Sequence, residues 1–525
     1  MPHKHSSVGR VCLVGAGPGD PGLLTCRGRD LLQQADVVVY DALANPVLLE
    51  LARPDAQRLN VGKRGGDHTL TQDQINDLLV EKAREGCLVV RLKGGDPYLF
   101  GRGAEEAAYL AERGVACEIV AGVTSGIAAP AAAGIPVTHR EVASTVTFVT
   151  GHEDPTKPDS AIDYVALAKL IERGGTVCFY MGVARLGAIA QQLQAGGAAA
   201  DTPVALVQWG TRPKQRSIKT TLTRAVDDVQ KAGIGSPSII VVGKVVGLDA
   251  PGLDYFTRRA LFGQRIVITR TRQQASALRS ELLELGAEVL EAPTIQIVPS
   301  PDDVLAKIDD ALTKIDQYDW LVLTSANGVA ALAERLQKMQ RDARHLAGVQ
   351  IAAIGDGTER ALREILGIRA DLVPTRFVAE SLAGDLIADH GVTGKRFLLL
   401  RADIARPILP QLLSQAGAQV DELAVYETQV ASKLPGVVLD ALRDGEVDWI
   451  TFTSASTARN MAELLGDEAD LLKRVKLASI GPITSDALRE LGLEPTIEAQ
   501  THNIDGLIEA LLTAAKTRTV GQGLP

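Results

Sequence analysis

The chain has 525 residues, 46% of them hydrophobic and 23% charged, with a formal net charge of −9. That length exceeds the roughly 250 to 300 residues at which a single hydrophobic core stops growing, so two or more domains are expected, and the composition excludes a disordered or fibrous chain. The negative balance argues against nucleic acid as a partner, because neutralising phosphates needs a basic surface; an anionic small molecule, which responds to a few local Arg and Lys side chains, stays open.

The start, Met1 to Arg10, has no apolar run of signal-peptide length, and the most apolar later stretch, Ser125 to Val137, is broken by Gly126, Pro130, Gly134 and Pro136. Neither a signal peptide nor a membrane span is predicted. Cys12, Cys26, Cys87, Cys117 and Cys178 all lie in the first half without CxxC spacing. Reduced thiols are expected rather than a disulfide framework or a metal site, and with them a cytoplasmic location.

In chain order, VCLVGAG, LLTCRGRDLLQQA and DVVVYD read as strand, helix and strand. The same alternation continues to RIVITRT, SALRSELLELG and AEVLEAP in the second half, predicting an α/β class throughout. The first strand runs into GAGPGDPGLLT, whose glycines let backbone N–H groups approach a ligand. Gly17 to Gly22 satisfies GxGxxG, yet Pro18, Pro21 and Asp20 sit inside it, which disfavours a dinucleotide site; a plain structural turn is the bland alternative. CLVVRLK then feeds GGDPYLFGRG, Gly94 to Gly103, which brings donors and one carboxylate, Asp96, to a strand's C-terminal end. Such a mixture suits a cofactor with an amino-acid-like end. After the last strand of the half, SIIVVGKVV, the segment Gly247 to Gly263 marks a boundary.

Together GAGPGDPGLLT, VVYDALANP, VGKRGG, VVRLKGGDPYLFGRG, AGVTSGIAAPAAAGIPVTHR, VTGHE, VCFYMGV and PVALVQWGT resemble the uroporphyrinogen-III C-methyltransferases, in order, across Gly9 to Leu248. The resemblance implies a two-lobed tetrapyrrole-methylase fold, S-adenosyl-L-methionine as cofactor and a homodimer through this domain. It places cofactor contacts at Pro18, Gly94, Gly95, Asp96, Leu99, Thr124, Ser125, Met181 and Gly210, and acid/base roles at Asp41 and Lys63. Arg64, His139 and Arg140 are then candidates for the substrate's carboxylates, within a basic strip with Lys63, Arg91, Lys93 and Arg102. The bland readings are that Asp41 caps the segment after its strand and that Lys63 and Arg64 are a solvated pair.

The second half contains an internal echo. GQRIVITRTRQQASALRSELLELGAEVLEAPTIQ is answered by GKRFLLLRADIARPILPQLLSQAGAQVDELAVYETQ, DWLVLTSANGVAAL by DWITFTSASTARNM, and IAAIGDGTERALREILG by LASIGPITSDALRELG. A duplicated α/β unit is expected, and two similar lobes make a cleft. Its polar signals are hydroxyls after apolar runs: Thr324, Ser325, Thr358, Thr453, Ser454, Ser456 and Thr484, with Tyr426. Such residues cap helices, and a capped helix start also receives carboxylates.

VITRTR, LTSANGV, IAAIGDGTERAL, RFVAESL, FLLLRAD, AVYETQ, FTSAST, SIGPITSDAL and NIDGLIEALL resemble the uroporphyrinogen-III synthases over Gly263 to Ala515. The resemblance implies a bilobal α/β fold, one lobe inserted in the other, that closes hydroxymethylbilane to uroporphyrinogen III. By that reading the methyltransferase domain spans 1–248, a linker 249–262, and the synthase 263–515, with one lobe from 263–299 plus 425–515 and the other from 300–424; 516–525 is a flexible tail. Tyr426 is the candidate acid, or else a packing residue, and Ser325, Thr358, Ser454 and Thr484 are candidate carboxylate binders. Where the family often has two successive Thr, this chain has Ile483 then Thr484. The alternatives are a methyltransferase for another acceptor, and a second half that only binds tetrapyrrole.

Overall fold

The computed structural model of the chain describes residues 9–53, 55–62, 70–152, 161–248, 252–270 and 272–521. Strands β1 (Arg10–Gly15), β2 (Val37–Tyr40), β3 (Gln57–Asn60), β4 (Leu88–Lys93) and β5 (Ala116–Val120) form one sheet in the order β3-β2-β4-β1-β5. Every pairing in it is parallel. Helices cover both faces, which is why VCLVG and VVRLK are buried nearly end to end instead of alternating. The neighbours β1 and β4 therefore deliver the two Gly-rich loops side by side at their C-terminal ends.

A second sheet follows, made of β6 (Val146–Thr150), β7 (Thr176–Tyr180), β8 (Pro203–Gln208), β9 (Arg216–Thr221) and β10 (Ser238–Val242) in the order β6-β7-β10-β8-β9. It is mixed: β6 and β7 are parallel, while β10 runs against both β7 and β8. The second half holds β11 (Arg265–Ile268), β12 (Glu288–Glu291), β13 (Ile295–Pro299), β14 (Trp320–Leu323), β15 (Gln350–Ala353), β16 (Arg396–Ala402), β17 (Gln419–Val430), β18 (Trp449–Phe452), β19 (Lys476–Ser479) and β20 (Ile497–Glu498). They divide into an outer sheet, β12-β11-β18-β19-β20, and an inserted one, β13-β17-β16-β14-β15.

The sequence echo maps onto these two sheets strand for strand: β12, β11, β18 and β19 occupy the order taken by β17, β16, β14 and β15. Register agrees as well, since Arg265 lies opposite Glu288 and Arg396 opposite Gln419. Residues 292–294 leave the C-terminal end of β12 for the inserted lobe, and β17 returns by pairing antiparallel with β13. The C-terminal edges of both sheets thus face each other. Each of the four sheets packs an apolar cluster on either face. Leu261, within the segment expected as linker, is fully buried in one cluster of the outer lobe, and the last helix, Ile504–Gly521, runs through the start of the expected tail. Among the described residues no helix is long and apolar enough to cross a membrane.

Candidate functional site

In the first half the two Gly-rich loops are bonded to each other: Gly17 N–H donates to the Gly95 carbonyl (3.2 Å) and Gly95 N–H to the Gly17 carbonyl (2.8 Å). Gly95 turns with φ +68, and a Cβ on Gly122 would sit 2.2 Å from the Gly95 oxygen, so the third segment, AGVTSG, closes on both loops only because side chains are missing there. Asp96 staples the contact. Its carboxylate accepts from Gly122 N–H (2.9 Å) and Tyr98 N–H (2.8 Å). From the second sheet, the Tyr180 hydroxyl reaches Thr124 Oγ1 (2.6 Å) and accepts from Gly126 N–H (2.7 Å), bonding the lobes across the helix Ser125–Ala132. Burial pushes the Tyr180 hydroxyl's pKa up.

Between these loops lies a cleft of about 640 Å³, whose walls include Pro18, Asp41, Gly94, Gly95, Asp96, Leu99, Thr124, Ser125, Met181 and Gly210. Phe100, Arg102, Met181 and Trp209, four of the six non-glycine residues with positive φ among the described residues, line it. Left-handed backbone at bulky residues is costly and persists where the surroundings over-determine it, as around a ligand. In the wall of the cleft Lys93 Nζ meets Glu106 at 2.7 Å, and Arg91 lies 3.5 Å from both Glu106 and Asp41. Burial first, then Arg91, lowers the Lys93 pKa.

In the second half the facing strand ends carry the hydroxyls. Ser325 caps the helix Ala326–Lys338 and its Oγ lies 3.0 Å from the Tyr426 hydroxyl. Across the gap Ser454 caps Ala455–Leu465 and bonds Ser456 at 2.9 Å. Thr358 and Thr484 are buried.

Comparison with known proteins agrees with this geometry. Residues 10–226 match the Tetrapyrrole (Corrin/Porphyrin) Methylases and residues 276–509 match Uroporphyrinogen-III synthase HemD. The chain is 37% identical over 504 residues to the "Porphyrin biosynthesis protein HemD" of Ruminiclostridium josui, covering 96% of this chain and 98% of that one. The chain belongs to the fused methylase and synthase family. To the "Uroporphyrinogen-III C-methyltransferase" of Bacillus subtilis it is 41% identical over 359 residues, 68% of this chain and 71% of that one. To the "S-adenosyl-L-methionine-dependent uroporphyrinogen III methyltransferase" of Methanosarcina barkeri it is 52% identical over 242 residues, 46% of this chain and 94% of that one.

The methyltransferase half thus gathers all nine motif-derived cofactor residues and Asp41 around one cleft. Asp41 also does what the bland reading supposed: its Oδ1 accepts from Leu43 and Ala44 N–H, leaving Oδ2 toward Arg91. Lys63 and Arg64 lie outside the described residues. His139 and Arg140 sit in an exposed turn and are not among the residues that line the cleft, with His139 Nδ1 accepting from Glu141 N–H. Of the basic strip, Arg91, Lys93 and Arg102 line this same cleft, Arg91 and Lys93 largely buried beside Glu106 and Arg102 paired with Glu105 at 2.6 Å.

Sequence reasoning missed Tyr180, Trp209 and Glu106 as parts of this site. Tyr180 lay within the motif VCFYMGV, but nothing in that run shows that its hydroxyl crosses to Thr124. In the synthase half Tyr426 is packed in the inserted lobe's core, as its packing reading has it, with its hydroxyl 3.0 Å from Ser325 Oγ. Ile483 is 78% exposed at the start of the helix Pro482–Glu490, so the residue departing from the family pattern stands outward while Thr484 points in. Arg270 and Arg401, which end the echoed runs RIVITR and RFLLLR, were passed over in favour of hydroxyls.

Proposed function

We propose that the synthase half converts hydroxymethylbilane to uroporphyrinogen III and that the methyltransferase half methylates this product twice with S-adenosyl-L-methionine to give precorrin-2. The observation that carries the reading is the single cleft lined by Pro18, Gly94, Gly95, Asp96, Leu99, Thr124, Ser125, Met181 and Gly210. The M. barkeri relative, 52% identical over this half, is named for the same cofactor and acceptor.

The cofactor supplies a methyl group on a sulfonium. The protein's work is chiefly to hold cofactor and pyrrole carbon in line and to take away the proton that the ring carbon loses, since alignment dominates such displacements. Loops locked by Gly17, Gly95 and Asp96 supply that rigidity. Asp41 receives the proton, with Oδ2, 3.5 Å from Arg91, the oxygen left for it because Oδ1 is held by backbone donors. Lys63 serves as its acid partner, and Arg64, His139 and Arg140 meet the substrate's carboxylates.

In the synthase half the bilane's terminal hydroxyl leaves as water, with its proton supplied by Tyr426, whose hydroxyl is oriented by Ser325 at 3.0 Å. Ser325, Thr358, Ser454 and Thr484 receive side-chain carboxylates at the facing helix starts. The protein acts in the cytoplasm as a homodimer joined through the methyltransferase half, an assembly that light scattering on the purified chain measures directly.

Fresh hydroxymethylbilane supplied with and without S-adenosyl-L-methionine tests both activities by isomer-resolving chromatography and mass spectrometry. Type III uroporphyrinogen without the cofactor and a doubly methylated product with it are expected. Type I product alone would leave the second half a binding module.

A further inference from the structure

The two lobes of the synthase half place an arginine at one equivalent position each: Arg270, just beyond β11, and Arg401 in β16. Their surroundings differ. Arg401 is buried, and its Nε lies 3.1 Å from a carboxylate oxygen of Glu422 on the adjacent strand β17. The residue equivalent to Glu422 is Glu291 on β12, as the register shows: Leu399 lies opposite Glu422, and Ile268 opposite Glu291. Glu291, however, pairs with Arg279 at 3.1 Å. The position matching Arg279 in the inserted lobe is Pro410, so Glu422 meets no such competitor there.

Arg270 is therefore left without the counter-ion that its twin enjoys. Among the described residues no carboxylate pairs with it, and its Nε donates to Thr453 Oγ1 at 3.1 Å. The side chain is half-buried, and burial alone lowers its pKa. Taking a cation out of water without an opposite charge costs stability, a cost avoided at Arg401. Thr453 directly precedes Ser454, the cap of Ala455–Leu465, and all three residues follow the C-terminal ends of the adjacent strands β11 and β18, on the edge that faces the inserted lobe.

We infer that Arg270 is a carboxylate-binding residue of the synthase half, its guanidinium fork holding one acetate or propionate of the linear tetrapyrrole with the Thr453 and Ser454 hydroxyls beside it. The substrate's carboxylate takes the place that Glu422 occupies in the other lobe, and the forked donors suit it geometrically. This inference rests on the reading of the second half as a synthase.

The full-length chain and its Arg270→Gln and Arg270→Lys variants are compared for cyclisation of hydroxymethylbilane, for methylation of supplied uroporphyrinogen III, and for melting temperature. Loss of a charge-assisted contact raises KM for the bilane about tenfold or more in Arg270→Gln, with kcat within about twofold and partial recovery in Arg270→Lys. Melting temperature stays level or rises, and methylation is unchanged. Wild-type KM in Arg270→Gln would overturn the inference while leaving the synthase intact. A lowered melting temperature in Arg270→Gln, with Arg270→Lys restoring both folding and KM, would reduce Arg270 to a structural cation. Only type I product from the wild type would remove the synthase reading and the inference with it.

Discussion

The two halves solve the problem of holding a tetrapyrrole in different ways. In the methyltransferase half, loops are bonded directly to one another: Gly17 to Gly95 through their backbones, the Asp96 carboxylate to Gly122 N–H, and the Tyr180 hydroxyl across to Thr124 and Gly126. In the synthase half the proposed binding groups are hydroxyls and an arginine at strand ends, on two lobes joined through short segments, as where Ala431 N–H meets the Thr294 carbonyl. A methyl transfer needs reactants aligned to within fractions of an ångström and is served by a preformed, interlocked cradle. Folding a flexible chain of pyrroles so that its ends meet is served by two walls that can approach one another. Rigidity is placed where the chemistry requires it.

This difference predicts how each half breaks. Gly122→Ala should have the largest effect, because its Cβ would lie 2.2 Å from the Gly95 oxygen and 2.8 Å from the Gly15 Cα, with backbone on both sides. Methylation should fall by about 100-fold or more while type III product still forms, as read by coupled assays of both activities. Equal loss of both activities would mean that the halves do not fold independently. Tyr426→Phe should lower the cyclisation rate by about 100-fold if its proton is used, with methylation untouched. Cyclisation at the wild-type rate would return Tyr426 to a packing role.

Tyr180→Phe should be milder, removing one buried hydroxyl that serves Thr124 and Gly126. A cost of about 1 to 3 kcal/mol is expected, seen as roughly ten- to hundredfold weaker S-adenosyl-L-methionine binding by calorimetry. Unchanged affinity would show that the loops keep their geometry without this bond. The smallest effect concerns pH. Burial pushes the Cys178 thiol from 9.0 up to about 12, so the folded state binds the proton more tightly than the unfolded one. The contribution is complete below pH 9 and is lost as pH rises toward about 12, at up to about 1.4 kcal/mol per pH unit for this group. Urea midpoints of Cys178→Ala and wild type, compared between pH 8 and pH 10.5, should show the shallower alkaline decline in the variant.

Much of the architecture was legible because its causes are local. Continuous apolar runs such as CLVVRLK announce strands covered on both faces, and Pro and Gly announce the loops after them. The echo in the second half foretold a repeated strand order, since equal patterns of side chains pack into equal sheets. The loops that line the cleft were legible because close backbone approach, as at Gly17, Gly95 and Gly122, leaves glycine behind as its signature, while Pro18, Leu99, Thr124, Ser125 and Met181 were named only through the family motifs. Less legible was the basic strip: Arg91 and Lys93 look like surface cations in the sequence, and only Glu106, on a helix crossing beneath the sheet, turns them into a buried ion cluster.

By itself, then, the sequence determined the α/β class, the family and the loops that line the cleft, because those depend on chain stiffness, periodicity and the absence of Cβ atoms at particular places. Tertiary structure alone decided which charges are spent and which stay open. Arg270 and Arg401 occupy the same place in the echoed runs RIVITR and RFLLLR, yet among the described residues Arg401 pairs with Glu422 while no carboxylate pairs with Arg270, its counterpart Glu291 lying 3.1 Å from Arg279. Charge pairing acts over a few ångströms in space, and partners brought together by a sheet carry no mark of it in the order of the residues.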